Sequence, residues 1–253
     1  MNPMEKAGWT PLPHSDEDLE RVKRAPDTPQ TRAATYRLAW DDPDRLGAGA
    51  RDRVAAPYVF VGPASRGGRP NVAFPWDWLR RDRRLVIVSL GTVSRDRDHR
   101  FFEVMMEAFA GLGDIQAVIV APAILAERAP ENVLVREYVP QLELLDRAAG
   151  VICHAGHNTV CEALLRGLPL IVAPIRDDQP IIARQVIDAG AGLFMRYGKV
   201  TPAMARVTIE RLLGDSGLAA SAQRLSQALR AAPGLPGAAD IVIRLSRQQV
   251  PCT

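Results

Sequence analysis

From residue 85 onward the chain alternates between short, continuously apolar runs and longer stretches with helical spacing. The apolar runs fall at 85–91 (LVIVSLG), 117–122 (AVIVAP), 132–140 (NVLVREYVP), 150–156 (GVICHAG), 168–175 (LPLIVAPI) and 192–196 (GLFMR). A strand without polar alternation is buried on both faces, as in a parallel sheet covered by helices. Residues 101–112, 141–149, 158–166 and 180–189 lie between these runs and carry helical patterns. Met105, Met106 and Phe109 belong to the buried face of the first. Thr201 and Pro202 read as the N-cap and first residue of a helix. Residues 216–232 and 236–248 predict two closing helices. Alternation at βα spacing predicts an α/β fold with a doubly wound parallel sheet, Rossmann-like.

The stretch 1–84 differs. It is rich in Pro, Arg, Asp and Gly and shows little periodicity. Residues 16–24 and 30–40 predict short helices, and 58–61 (YVFV) a short strand ended by Gly62 and Pro63. Trp76, Trp78 and Leu79 form an apolar cluster expected to pack the linker on the domain. The division expected is a partly irregular extension over 1–84 and a ligand-binding domain over 85–248.

Composition narrows the class. Hydrophobic residues make up 47% and charged residues 24% of the 253. That is the balance of an ordinary globular chain. With 32 basic and 29 acidic residues the net charge is +3, too small a surplus for a nucleic-acid footprint. The Arg-rich stretches at 80–84 and 95–100 read as solvated faces. Lys6, Lys23 and Lys199 are the only lysines, an arginine bias that suits a GC-rich bacterium. Three cysteines without framework spacing fit a reducing compartment. The N-terminus carries no apolar signal core, and no apolar run spans a bilayer. The location expected is the cytoplasm, with membrane contact at most peripheral.

In doubly wound sheets, ligands bind beyond the carboxyl ends of the strands. Four such ends here carry residues unsuited to plain packing. Ser89-Leu90-Gly91-Thr92 ends the first run: Gly91 admits a close backbone approach, and Thr92 offers a hydroxyl and an amide. Tyr138-Val139-Pro140-Gln141 ends the third, where an aromatic either stacks on a base or closes the core. His154-Ala155-Gly156-His157-Asn158-Thr159, with Glu162 one turn later, ends the fourth and opens a helix. The positive end of a helix and its free N–H groups make that turn an anion site. Asn158 and Thr159 either cap this helix or present donors to a phosphate. Glu162 either accepts from ribose hydroxyls or is a solvated helix residue. Asp177-Asp178-Gln179 ends the fifth, with polar groups suited to sugar hydroxyls or to starting a helix. Cys153, His154, His157 and Cys161 are close enough in sequence to raise a zinc site. Against that, Cys153 is within a buried strand, points away from His154, and has no CxxC partner.

Together these segments read aromatic-x-Pro-Gln, then His-x-Gly-x-Asn-Thr-x-x-Glu, then Asp-Gln. In this order and spacing they resemble the C-terminal, donor-binding domain of the UDP-dependent glycosyltransferases of GT-B fold, over residues 57–248. That family includes glucuronosyltransferases, plant secondary-metabolite enzymes and bacterial macrolide glycosyltransferases. The resemblance implies that Tyr138, where the family usually has Trp, stacks on uracil or thymine and that Gln141 contacts the nucleoside. It implies that His154 binds the diphosphate. Gly156, Asn158, Thr159 and Thr92 would donate to the diphosphate oxygens, Glu162 would hold the ribose, and Asp178 and Gln179 would bind the sugar. A UDP-sugar or dTDP-sugar is then the co-substrate, with no other cofactor and no metal. The reaction implied is inverting transfer of a hexose to an acceptor hydroxyl of a small or lipophilic molecule.

The family's general base is a His in an N-terminal acceptor domain. The stretch 1–84 is too short for a second doubly wound unit. His14 follows no apolar strand and His99 sits among charges, so neither is assigned as the base. The expectation is the donor half of a hexosyltransferase, completed by an acceptor-domain chain or a homo-oligomer. The alternative is a fragment or non-catalytic subunit that binds nucleotide sugars without turnover.

Overall fold

The computed structural model describes residues 62–63, 72–91 and 99–248. The short helices expected over 16–24 and 30–40 and the strand at 58–61 lie outside the described residues. Six strands form one parallel sheet: β1 (Arg84–Ser89), β2 (Ile115–Val120), β3 (Val133–Arg136), β4 (Ala148–Cys153), β5 (Leu170–Val172) and β6 (Gly192–Phe194). Their order is β3-β2-β1-β4-β5-β6. The helices are α1 (His99–Ala110), α2 (Gln141–Leu145), α3 (His157–Leu165), α4 (Gln179–Asp188), α5 (Pro202–Gly214), α6 (Ser216–Ala231) and α7 (Gly234–Gln248). The α/β doubly wound architecture is as the sequence predicts. No helix among the described residues is long and apolar enough to cross a membrane.

The unbroken apolar runs have a direct physical basis. Alternate residues of each strand enter different cores. Val86 and Val88 of β1, Ile152 of β4 and Ile171 of β5 pack with α1 and α5 on one face. Leu85, Ile87, Val151, Cys153, Leu170 and Val172 pack with α3, α4 and α6 on the other. Neither face meets water, so polar residues in the strands are confined to positions near their ends, such as Ser89 and Gln116.

Several boundaries move. The third run pairs only as far as Arg136. Glu137 and Tyr138 turn out of the sheet before Pro140, which has no N–H to give a ladder. The fifth pairs only over Leu170–Val172. The fourth strand begins at Ala148, which shortens α2 to Gln141–Leu145. A 3-10 helix over Ala123–Arg128 has no counterpart in the apolar pattern. At Thr201 the expected cap forms, its hydroxyl accepting from the Met204 amide at 3.3 Å.

Phe74, Trp76, Trp78 and Leu79 do pack against the second core. Arg147 lies over the Trp76 ring, 4.4 Å from its centre. A cleft of about 640 Å³ opens there, lined by Trp76, Arg80, Arg83, Gln116 and Arg147. It belongs to the amino ends of β1, β2 and β4, the end of the sheet away from His154.

Asn132 is a buried polar residue that the apolar pattern conceals. Its Nδ2 donates to the carbonyls of Phe109, Leu112 and Ile115 at 2.8, 3.0 and 2.9 Å. One side chain thereby ties the last turn of α1 to the entry of β2, where the helix has run out of its own donors. Asn132→Ala is expected to destabilise the fold by about 1–3 kcal/mol, the cost of leaving buried polar groups short of partners. Urea unfolding of the two proteins would show it as a lower midpoint at unchanged slope.

A candidate nucleotide-sugar site at the strand switch point

The chain moves outward from β1 through β2 to β3, then returns to place β4 on the other side of β1. A crevice therefore opens between the carboxyl ends of β1 and β4, the usual ligand position in such sheets. Gly91 follows β1 and His154 follows β4, so the switch point brings them together.

His154 is partly buried. Its ring lies so close to two glycines that a Cβ on either would collide with it. A Cβ at Gly156 would stand 2.5 Å from Nε2, and one at Gly91 2.7 Å from Cε1. Burial pushes the His154 pKa below its ordinary value; the Ser89 backbone and the Asp178 carboxylate act the other way. The ring is thus mostly neutral near neutral pH. Although the Ser89 backbone is near, Nδ1 forms no hydrogen bond of normal geometry and is buried. The residue between His154 and Gly156 is strained: Ala155 has φ 64 and is fully buried. A left-handed alanine costs about 1–2 kcal/mol, and here it turns the chain from β4 into α3.

The helix α3 opens with Gly156 as its N-cap and no side-chain cap. Asn158 and Thr159 lie inside the first turn, so of their two possible roles the capping one does not hold. The first intrahelical bond runs from the Val160 amide to the Gly156 carbonyl at 3.0 Å. An uncapped helix start leaves first-turn amides for an anion.

Glu162 is not simply solvated. Its Oε2 accepts from Gln141 Nε2 at 2.5 Å, which joins the start of α2 to α3. Its carbonyl accepts from Arg166, whose Nε is paired with Asp146 at 2.6 Å. The two nucleoside-contact candidates are therefore one hydrogen-bonded pair. Tyr138, close before Gln141 in the chain, is 54% exposed.

Asp178 and Gln179 divide their tasks. Asp178 is the N-cap of α4 but makes no side-chain cap bond, and its charge is felt at His154. Gln179 is buried, and its Oε1 accepts from the amides of Ile175 and Arg176 at 2.9 and 3.1 Å. Only its Nε2 remains for a sugar. The apolar pattern gives no sign of this loop-fastening role, because both of its partners are backbone groups. Asp177, between them and the strand, has φ 55. Thr92 lies outside the described residues.

Cys153 is fully buried, and desolvation pushes its thiol up to about 12, so it stays protonated. Cys161 Sγ lies 3.6 Å from His157 Nε2. Among the described residues, no three His, Cys, Asp or Glu side chains are grouped to hold a metal ion.

The family described as "Erythromycin biosynthesis protein CIII-like, C-terminal domain" matches residues 107–246, more than half of the chain and all of β2 to α6. The chain belongs to this family. Among its relatives, an uncharacterized UDP-glucosyltransferase, YojK of Bacillus subtilis (strain 168), is 31% identical over 76% of this chain and 48% of its own length. The tylactone mycaminosyltransferase of Streptomyces fradiae is 34% identical over 80% of this chain and 44% of its own. The spinosyn rhamnosyltransferase SpnG, solved with thymidine diphosphate, superposes with a TM-score of 0.60 at 29% identity, over 69% of this chain and 49% of that one. The chain thus spans about half the length of the relatives it matches. As an EryCIII-like C-terminal domain it carries the sheet, the switch-point crevice and the His154 to Glu162 turn.

Proposed function

We propose that this chain is the nucleotide-sugar-binding half of a glycosyltransferase that moves a hexose from a UDP-sugar or dTDP-sugar to an acceptor hydroxyl. One observation carries the reading: the His154 ring stands at the switch point, between two glycines, beside an uncapped helix start. A diphosphate needs hydrogen-bond donors and a close backbone approach in one place, and this crevice offers both.

The roles follow by position. His154 and the first-turn amides at Gly156, Asn158 and Thr159, with Thr92, receive the diphosphate. Tyr138 stacks on the base, Gln141 and Glu162 hold the nucleoside, and Asp178 with the Gln179 amide nitrogen meets the sugar. In the reaction, the acceptor oxygen bonds to the anomeric carbon from the face opposite the diphosphate. The carbon–oxygen bond to the β-phosphate breaks, and the configuration inverts. The acceptor's proton passes to a base in the acceptor half, and the nucleoside diphosphate leaves with the bonding pair. Donors already aimed at that growing charge lower the barrier, and no metal is required if they neutralise it. The acceptor half is not among the described residues, whether it belongs to this polypeptide or to a partner chain. A non-catalytic subunit is the competing reading: it binds the nucleotide with no turnover under any pairing.

The thymidine diphosphate held by SpnG supports a pyrimidine donor here. Calorimetry with dTDP, UDP and GDP tests this directly. The two pyrimidine nucleotides are expected to bind at least about tenfold more tightly than GDP. Tyr138→Ala should weaken dTDP and UDP binding by about fivefold to one-hundredfold, since base–aromatic stacking contributes about 1–3 kcal/mol per base. Unchanged dTDP and UDP binding in Tyr138→Ala would remove Tyr138 from the base site, and equal binding of all three nucleotides by the unaltered chain would remove the pyrimidine preference.

A further inference from the structure

Glycine at position 156 has no conformational reason of its own. Its backbone is ordinary β/extended with negative φ, a conformation that any L-residue adopts. What excludes a side chain is the His154 ring. A Cβ there would meet Nε2 at 2.5 Å and Cε1 at 2.6 Å, well inside contact distance. Gly91, reaching in from β1, meets the same edge of the ring, with a Cβ at 2.7 Å from Cε1 and 3.0 Å from Nε2. Gly91 also has φ 74, so glycine there serves the turn as well as the ring.

We infer that Gly156, with Gly91 opposite, is a positioning residue for His154: the two missing side chains form a slot that holds the Nε2 edge of the ring in the crevice. The inference rests on the reading of His154 as the diphosphate ligand, and it adds how that ligand is aimed. Nδ1 is buried and makes no hydrogen bond of normal geometry, so the nearby Ser89 backbone is at best a weak tether for the ring's rotation. The collisions at positions 156 and 91 constrain it more tightly. A methyl group at 156 would turn the ring out of the slot and leave the backbone and its amide in place.

The test is a double-mutant cycle on the full chain: wild type, Gly156→Ala, His154→Ala and the double variant, each titrated with dTDP. Gly156→Ala is expected to weaken binding about tenfold in the wild-type background and by less than about twofold on His154→Ala, because the ring it displaces is gone. The His154 Cε1–H proton resonance, assigned by its loss in His154→Ala, should shift in Gly156→Ala. The thermal midpoint gives a second reading. Gly156→Ala should lower it in the wild-type background and not on His154→Ala, where the collision is relieved. Equal weakening in both backgrounds would mean that the new methyl blocks the nucleotide itself, and would overturn the inference. So would an unshifted His154 resonance. Unchanged dTDP affinity in His154→Ala alone would instead remove the diphosphate reading beneath it.

Discussion

Replacing His154 by alanine is expected to weaken dTDP and UDP binding by about tenfold to one-hundredfold. A hydrogen bond to a charged group contributes about 1.5–3 kcal/mol, and about 1.4 kcal/mol is a factor of ten. The fold should not suffer in proportion. The lost ring is only partly buried, and its Nδ1 makes no hydrogen bond of normal geometry. Acidity supplies a second signature. In the free protein burial holds the ring's pKa below the usual histidine range. A bound diphosphate is an opposite charge and raises it. Between the two values, binding takes up a proton, so affinity rises as pH falls. The nucleotide's own phosphate also titrates, so the informative quantity is the difference between wild type and His154→Ala. That difference should grow from alkaline pH toward the histidine range and then level. A variant that binds as tightly as wild type at every pH would show that His154 does not touch the diphosphate.

The sheet was legible in the sequence because burial on two faces keeps polar residues near the strand ends and leaves the middles apolar. The runs around Val86, Val118, Ile152 and Ile171 record that directly. Element ends were less legible. Strand length depends on where neighbours stop pairing, as at Leu170–Val172, and one strand's residues do not record that. For the site, the residue types at the strand ends marked the crevice, and the order of the segments marked the family. The contacts within the site were not legible. That Gln141 and Glu162 bond each other, that Gln179 gives its oxygen to the Ile175 and Arg176 amides, and that Gly156 makes room for a ring are relations across segments. No local spacing encodes them. Asn132 illustrates the same limit in the core, since a single Asn before an apolar run looks like a turn residue until its three carbonyl partners are seen.

Phe109→Ala should do the reverse of His154→Ala: lower stability and spare the nucleotide. Phe102 and Phe109 stand two turns apart on α1, hence on one face, and both are fully buried in the first core. Truncating such a ring costs about 3–5 kcal/mol, from lost transfer energy and the cavity left behind. Native domains hold only about 5–15 kcal/mol in all. At this size each kcal/mol moves the thermal midpoint by about 2–4 °C, so a fall of about 6–20 °C is expected in calorimetric scans. Phe109 lies in the last turn of α1, where its carbonyl meets Asn132, and the switch-point crevice lies past the carboxyl end of β1 at Gly91. At temperatures where both proteins are folded, dTDP affinity should therefore match wild type. Saturating dTDP should raise both midpoints by similar free energies, since it binds only the native state. An unchanged midpoint would show that the ring is not packed as described. A parallel loss of affinity below the transition would show that the core behind β1 and the crevice in front of it are one cooperative unit, and the two kinds of variant would then no longer separate.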